Sequence, residues 1–136
     1  MYVLDTNVIS ELRSGKPAPS AAVRGWAEQQ PANQLYLSAI TTMELDIGVR
    51  RMERRDAEQG AILRRWSEAI VHQFGGRILP FTASTSLFCA AMHVPDPRSF
   101  RDSMIAATAF EHGFTVVTRN VSDFADTGAK LFNPWN

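Results

Sequence analysis

Short β-type runs alternate with longer helical patterns along this 136-residue chain, and that alternation narrows the folds open to it more than any other feature. Met1-Tyr2-Val3-Leu4 is an apolar run that ends on Asp5, which reads as the last residue of a first strand. Residues 6–13 then carry Val8, Ile9 and Leu12 at helical spacing, until Ser14-Gly15-Lys16-Pro17 stops the pattern. Pro19-Ser20 opens a second helix with Val23, Trp26 and Ala27 on one stripe, ended by Pro31-Ala32-Asn33. Residues 34–38 (Gln-Leu-Tyr-Leu-Ser) form the second strand. Thr41 or Thr42 caps a helix running to about Arg55, and Ala57 or Glu58 starts another with Ile62, Trp66, Ala69, Ile70 and Phe74 on one face. These two helices read as an antiparallel pair. Gly75-Gly76 breaks the pattern, and residues 77–81 give a third strand too short to stand outside a sheet. A helix marked by Ala83, Leu87, Ala90 and Ala91 precedes a proline-punctuated loop at 93–99. A final helix over 101–112 is closed by Gly113, residues 114–118 make the fourth strand, and Leu131-Phe132 adds a short fifth. The expected fold is therefore one α/β domain over residues 1–136, a three-layer α/β/α sandwich on a short, mostly parallel sheet of four to five strands.

Composition adds exclusions. A hydrophobic content of 45% is enough to bury one sizeable core. No apolar run is long enough to span a bilayer, and no basic n-region with an apolar stretch marks a signal peptide, so no membrane association is expected. The single cysteine, Cys89, rules out an internal disulfide and a cysteine-based metal cluster; it reads as a small buried hydrophobe and fits a cytoplasmic setting. Fourteen basic residues balance fourteen acidic ones, so overall charge does not mark a nucleic-acid binder. Arg50, Arg51, Arg54, Arg55, Arg64 and Arg65 crowd the middle of the chain, where Glu53, Asp56, Glu58 and Glu68 interleave with them as on a solvated helical face.

The acids carry the chemistry. In an open α/β sheet the ligand crevice lies beyond the carboxyl ends of the strands, which is where Asp5 stands. The plainer reading of Asp5 is a helix cap. Glu44 lies in the first turns of the helix after strand two, on the side of Thr41, Ile47 and Gly48, and so faces packed backbone; Asp46 points to solvent. A carboxylate there also gains about 0.3–1 kcal/mol from the helix dipole. Asp102 begins a stripe with Ile105, Ala106 and Ala109 and stands on the face buried against the sheet. Unless Arg98 or Arg101 pairs with it, it needs another cation, because an unpartnered buried charge is costly. Asp123 lies in the turn past the fourth strand. Four carboxylates from four segments thus map to one sheet edge. Such a cluster calls for a divalent cation, and oxygen-only ligands favour Mg²⁺ or Mn²⁺ over zinc. His72, His93 and His112 lie at helix ends or in the loop, as surface or capping residues.

Asp5-Thr6-Asn7, the block from Ser38 through Thr41-Thr42-Met43-Glu44-Leu45 to Gly48, residues 101–109 (Arg-Asp-Ser-Met-Ile-Ala-Ala-Thr-Ala), and Val117-Thr118-Arg119-Asn120 with Asp123-Phe124 together resemble a PIN-domain ribonuclease of the VapC type, nearest its FitB-like branch. Asn133-Pro134-Trp135 resembles that branch as well. The resemblance implies a metal-dependent endoribonuclease, the toxin of a toxin–antitoxin pair, acting as a homodimer silenced by a small antitoxin protein. By matching motif, Asp5, Glu44, Asp102 and Asp123 would be the catalytic acids, with Asp5 and Asp102 in direct contact with Mg²⁺ or Mn²⁺. Thr6 and Asn7 would support Asp5, and Thr118 and Asn120 would line the pocket. Arg13, Lys16, Arg50, Arg51 and Arg119 are candidates for holding the RNA. A haloacid-dehalogenase-like phosphatase with Asp5 as nucleophile would need a second Asp two residues on, and position 7 is Asn. A PIN-like domain that binds RNA or protein without cutting is the other alternative, against which the intact set of four acids argues.

Overall fold

The computed structural model describes residues 1–136. Its elements run β1 (Tyr2–Leu4), α1 (Thr6–Glu11), α2 (Ala21–Gln29), β2 (Leu35–Ser38), α3 (Ala39–Arg55), α4 (Ala57–Gln73), β3 (Ile78–Leu79), α5 (Ala83–Met92), α6 (Phe100–His112), β4 (Thr115–Val117) and β5 (Lys130–Phe132), with 3-10 turns at Ala32–Gln34 and Val121–Phe124. The five strands lie in the order β3-β2-β1-β4-β5, and every pairing is parallel. The sheet is thus wholly rather than mostly parallel. Its strand order reverses beside β1, so the crevice opens where β1 and β4 end.

Alternation along the strands feeds two cores. Val3 and Val116 face one side, with Cys89, Met92, Ile105, Ala106, Ala107 and Ala109 of α5 and α6. Leu4, Leu37 and Val117 face the other, with Val8, Ile9, Val23, Leu45 and Phe74 from α1, α2, α3 and the end of α4. Each fully buried Leu, Ile or Val is worth about 1.5–3 kcal/mol. Cys89 is a buried free thiol, as its composition suggested.

Three boundaries differ from the sequence expectation, and each has a local cause. Asp5 is not the last strand residue but the cap of α1, its side chain accepting the Thr6 amide. Ser38, not Thr41 or Thr42, caps α3: its extended backbone lets Oγ accept the Thr41 amide at 3.2 Å, so strand runs into helix without a loop. The third strand is only two residues, because pairing with Leu37 and Ser38 ends there. Gly113 closes α6 in the left-handed region at φ 70°, as expected.

The α3–α4 pair is held by packing and charge. A Cβ on Gly60 would lie 2.6 Å from the Glu53 Cα, so only glycine allows this approach. Arg64 of α4 reaches Asp46 at 2.7 Å and Glu53 at 2.8 Å, and Arg50 adds a 2.6 Å contact to Asp46. Asp46 is therefore half-exposed and clasped by two arginines rather than free in solvent.

Candidate active site

The crevice between β1 and β4 is a polar cleft of about 460 Å³, lined by Asp5, Thr6, Asn7, Ser10, Glu11, Lys16, Glu44, Asp102, Arg119, Asn120 and Trp135. Asp5 is fixed at its floor by both carboxylate oxygens. Oδ1 accepts the Thr6 amide at 2.8 Å, while Oδ2 accepts Thr118 Oγ1 at 2.8 Å and Asn7 Nδ2 at 3.2 Å. Thr118 in turn accepts the Asn120 amide at 3.0 Å, and Asn7 accepts the Arg119 amide at 3.3 Å. Capping and site-building are one arrangement here: the residue that ends β1 also ties it to the end of β4.

Glu44 reaches the same cleft from α3. Thr6 Oγ1 donates to it at 3.0 Å, and Arg101 approaches at 3.6 Å. The glycine one turn on does not explain this orientation, since Gly48 is exposed with open space around it. The Thr6 hydroxyl does. Asp102 stands in the first turn of α6, capped by Ser99, and makes no ion pair: Arg101 turns to Glu44, and Arg98 bonds the carbonyls of Met92 and Ala125. Asp123 lies in the turn at Val121–Phe124, exposed and outside the cleft lining.

Electrostatics couple all four acids. Burial pushes the Asp5 carboxyl up, against hydrogen bonds that lower it, and the charge of Asp123 adds to the rise. Glu44 is raised by burial and by Asp5, with Thr6 and Arg101 opposing. Asp102 is raised by burial and then by Asp5, Asp123 and Glu44 together. As the side chains stand, no three acids, histidines or cysteines form a group that could hold a metal ion. Their chemistry nonetheless fits a hard cation: carboxylates without imidazole or thiol, three of them facing one cleft and each raised by another's charge. Of the four, only Glu44 has a cationic partner, Arg101.

The basic candidates divide. Lys16 and Arg119 line the cleft. Arg13 stands next to it, over the Trp66 ring at 5.6 Å, in a hollow that shares Ser10 and Lys16 with the cleft. Arg50 and Arg51 do not belong to it: both are exposed on α3 outside the lining, and Arg50 is committed to Asp46. The interleaved helical face expected of that arginine group is what Arg50 and Arg64 form. Three lining residues, Ser10, Glu11 and Trp135, were not anticipated as site residues. Glu11 is buried, held by the Ser20 amide at 2.9 Å and Lys16 at 3.2 Å, which keep its carboxyl below the usual range and fold the 14–20 loop back onto the cleft. Trp135 arrives from beyond β5, its amide bonded to Asn133 Oδ1 at 2.9 Å. Of the histidines, His93 meets Ser103 Oγ at 2.8 Å and His112 the Thr108 carbonyl at 2.9 Å, while His72 is exposed; none lines the cleft.

Comparison with known proteins agrees in sequence and in shape. A family model described as PIN domain matches residues 2–130. The chain is 41% identical over 143 residues to the VapC ribonuclease Y4jK of Sinorhizobium fredii, covering 99% of this chain and 98% of that protein. It is 35% identical over 146 residues to Toxin FitB of Neisseria gonorrhoeae, covering 100% and 99%. A solved structure of FitAB bound to the IR36 DNA fragment superposes with a TM-score of 0.89 at 34% identity, covering 100% of this chain and 96% of that one.

Proposed function

The chain belongs to the PIN domain family, and on that premise we propose that it is an endoribonuclease toxin that hydrolyses RNA with Mg²⁺ or Mn²⁺ at the Asp5–Glu44–Asp102 cleft. The observation that carries this reading is the convergence of those carboxylates on one polar cleft at the β1–β4 crevice, each raised by the charge of another. Relatives named as a ribonuclease and a toxin supply the substrate and the cellular role.

Asp5 and Asp102 would hold the cation, with Glu44 and Asp123 as further ligands or water-positioning groups. When bound, the ion neutralises charge on the scissile phosphate and lowers the pKa of the attacking water. Asp5 is a holder rather than an attacker: three hydrogen bonds occupy its two oxygens and fix its direction. Thr6 orients Glu44, and Thr118 and Asn7 orient Asp5. Lys16 and Arg119 flank the acids and supply positive charge toward the phosphodiester backbone.

The same reading includes a protein antitoxin as partner, as the relative's name as a toxin suggests. It also includes a homodimer, for which exposed Leu87, Phe88, Val94, Phe100 and Phe110 offer an apolar surface. A cytoplasmic setting and one domain over residues 1–136 complete it; no helix is long and apolar enough to cross a membrane.

The test is cleavage of single-stranded RNA by antitoxin-free protein. Activity is expected only with added Mg²⁺ or Mn²⁺, and Asp5→Asn or Asp102→Asn should each lose more than about 100-fold, since even outer-shell partners of a metal are worth 10–100-fold. Full activity in excess EDTA, or in either variant, refutes the mechanism.

A further inference from the structure

Trp135 is the one hydrophobic residue among the eleven that line the cleft. It is half-buried, packed against the core on the α1–α2 side of the sheet, and the Arg119 guanidinium carbon lies over its ring at 5.3 Å from the centroid. Both partners are anchored. The Thr118 amide donates to the Phe132 carbonyl at 3.0 Å, Pro134 is buried, and Asn133 holds the Trp135 amide. The Arg119 amide donates to Asn7 Oδ1, and Asn7 also bonds Asp5. A short chain of hydrogen bonds therefore sets the position of this stack relative to the acids. Arg119 takes part in none of the ion pairs, whereas Lys16 is tied to Glu11.

Resting on the ribonuclease reading above, we propose that Arg119 and Trp135 form a nucleobase subsite beside the acidic cleft, where one unpaired base flanking the cut phosphate stacks on the pair. The remaining lining suits no base face: it is carboxylate, amide, hydroxyl and ammonium. Indole rings and guanidinium planes are the surfaces on which unstacked RNA bases rest, and such stacking tolerates any base because each has a π-face. The subsite therefore requires that a base be present and unpaired; it does not read which base.

Steady-state cleavage of a labelled single-stranded RNA oligonucleotide, with Mg²⁺, separates this from a packing role. Trp135→Ala should raise KM roughly tenfold, from the 1–3 kcal/mol typical of base–aromatic stacking, with kcat nearly unchanged. Trp135→Phe, which keeps an aromatic face, should recover most of the loss. An abasic nucleotide walked along the substrate should cost the wild-type protein a similar factor at one position flanking the cut, and on that substrate wild type and Trp135→Ala should perform alike. If Trp135→Ala does not fold, the abasic series on wild type and Trp135→Phe decides. The subsite is overturned by an unchanged KM in a folded Trp135→Ala, by a loss confined to kcat, or by no sensitive abasic position. A wild-type protein that cuts no RNA under these conditions defeats the functional reading itself, which is a different outcome.

Discussion

Asp102 shows how a single residue can be tuned against the fold that carries it. Its place in the first turn of α6 favours the charged form by about 0.3–1 kcal/mol through the helix dipole. Burial and the charges of Asp5, Asp123 and Glu44 win, and its carboxyl is raised above the ordinary 3.8. In metal-free protein the unfolded chain then ionises first as pH climbs. Stability is lost as pH rises from the ordinary carboxylate value through the raised one, and the penalty is complete above it. In EDTA, Asp102→Asn should therefore melt a few degrees above wild type at pH 7, and the gap should close near pH 3. Melting curves across that range check it; a variant less stable at pH 7 contradicts the assignment. Asp5 and Asp102 were legible in the sequence because one follows a strand directly and the other lies in a first helical turn. Glu44, a turn further into α3, is directed by the Thr6 hydroxyl, and Asp123 stands outside the lining. Glu11 and Trp135 were not legible, because a loop returning to the Ser20 amide and a tail folding past β5 place them, and neither leaves a periodic signal. Arg50 and Arg51 stand outside the cleft lining, and charge count does not tell that Asp46 already claims Arg50.

At the scale of elements, the long helical pair depends on one glycine and the sequence hides why. Gly60 and Gly48 look alike as interior helix glycines, yet only Gly60 faces backbone, at 2.6 Å from Glu53 Cα to an added Cβ. Gly60→Ala should cost about 1–3 kcal/mol by overpacking. Gly48→Ala should stabilise by about 0.5–1 kcal/mol through helix propensity. Urea unfolding of the two variants should move the midpoint in opposite directions. Helix existence was readable from periodicity throughout; the cap at Ser38 was not, because a strand that becomes a helix without a loop leaves no turn residues to mark the change.

The whole molecule presents a neutral sum that conceals a local excess. Fourteen charges of each sign cancel, but four carboxylates line one cleft, of which Glu11 is paired with Lys16, and Asp123 stands near enough to act on Asp5 and Asp102. A divalent ion that binds the folded site alone should raise the melting temperature with concentration, by an amount equivalent to about 2.7 kcal/mol at 100 times its Kd. Calorimetry with Mg²⁺ or Mn²⁺ that shows no shift would mean the acids do not act together. The topology was foreseeable from the strand–helix alternation, whereas the placing of β1 between β2 and β4 depends on tertiary pairing that no local run specifies.

That central placing has a consequence for synthesis. The hydroxyl that orients Asp5 belongs to Thr118, 113 residues later, and β1 must wait as long for β4. A nascent chain can carry Asp5, Glu44 and Asp102 and still lack the floor of the cleft. At about 5–20 residues per second, translation separates those events by several seconds. A chain still short of Thr118 thus lacks the hydroxyl that orients Asp5.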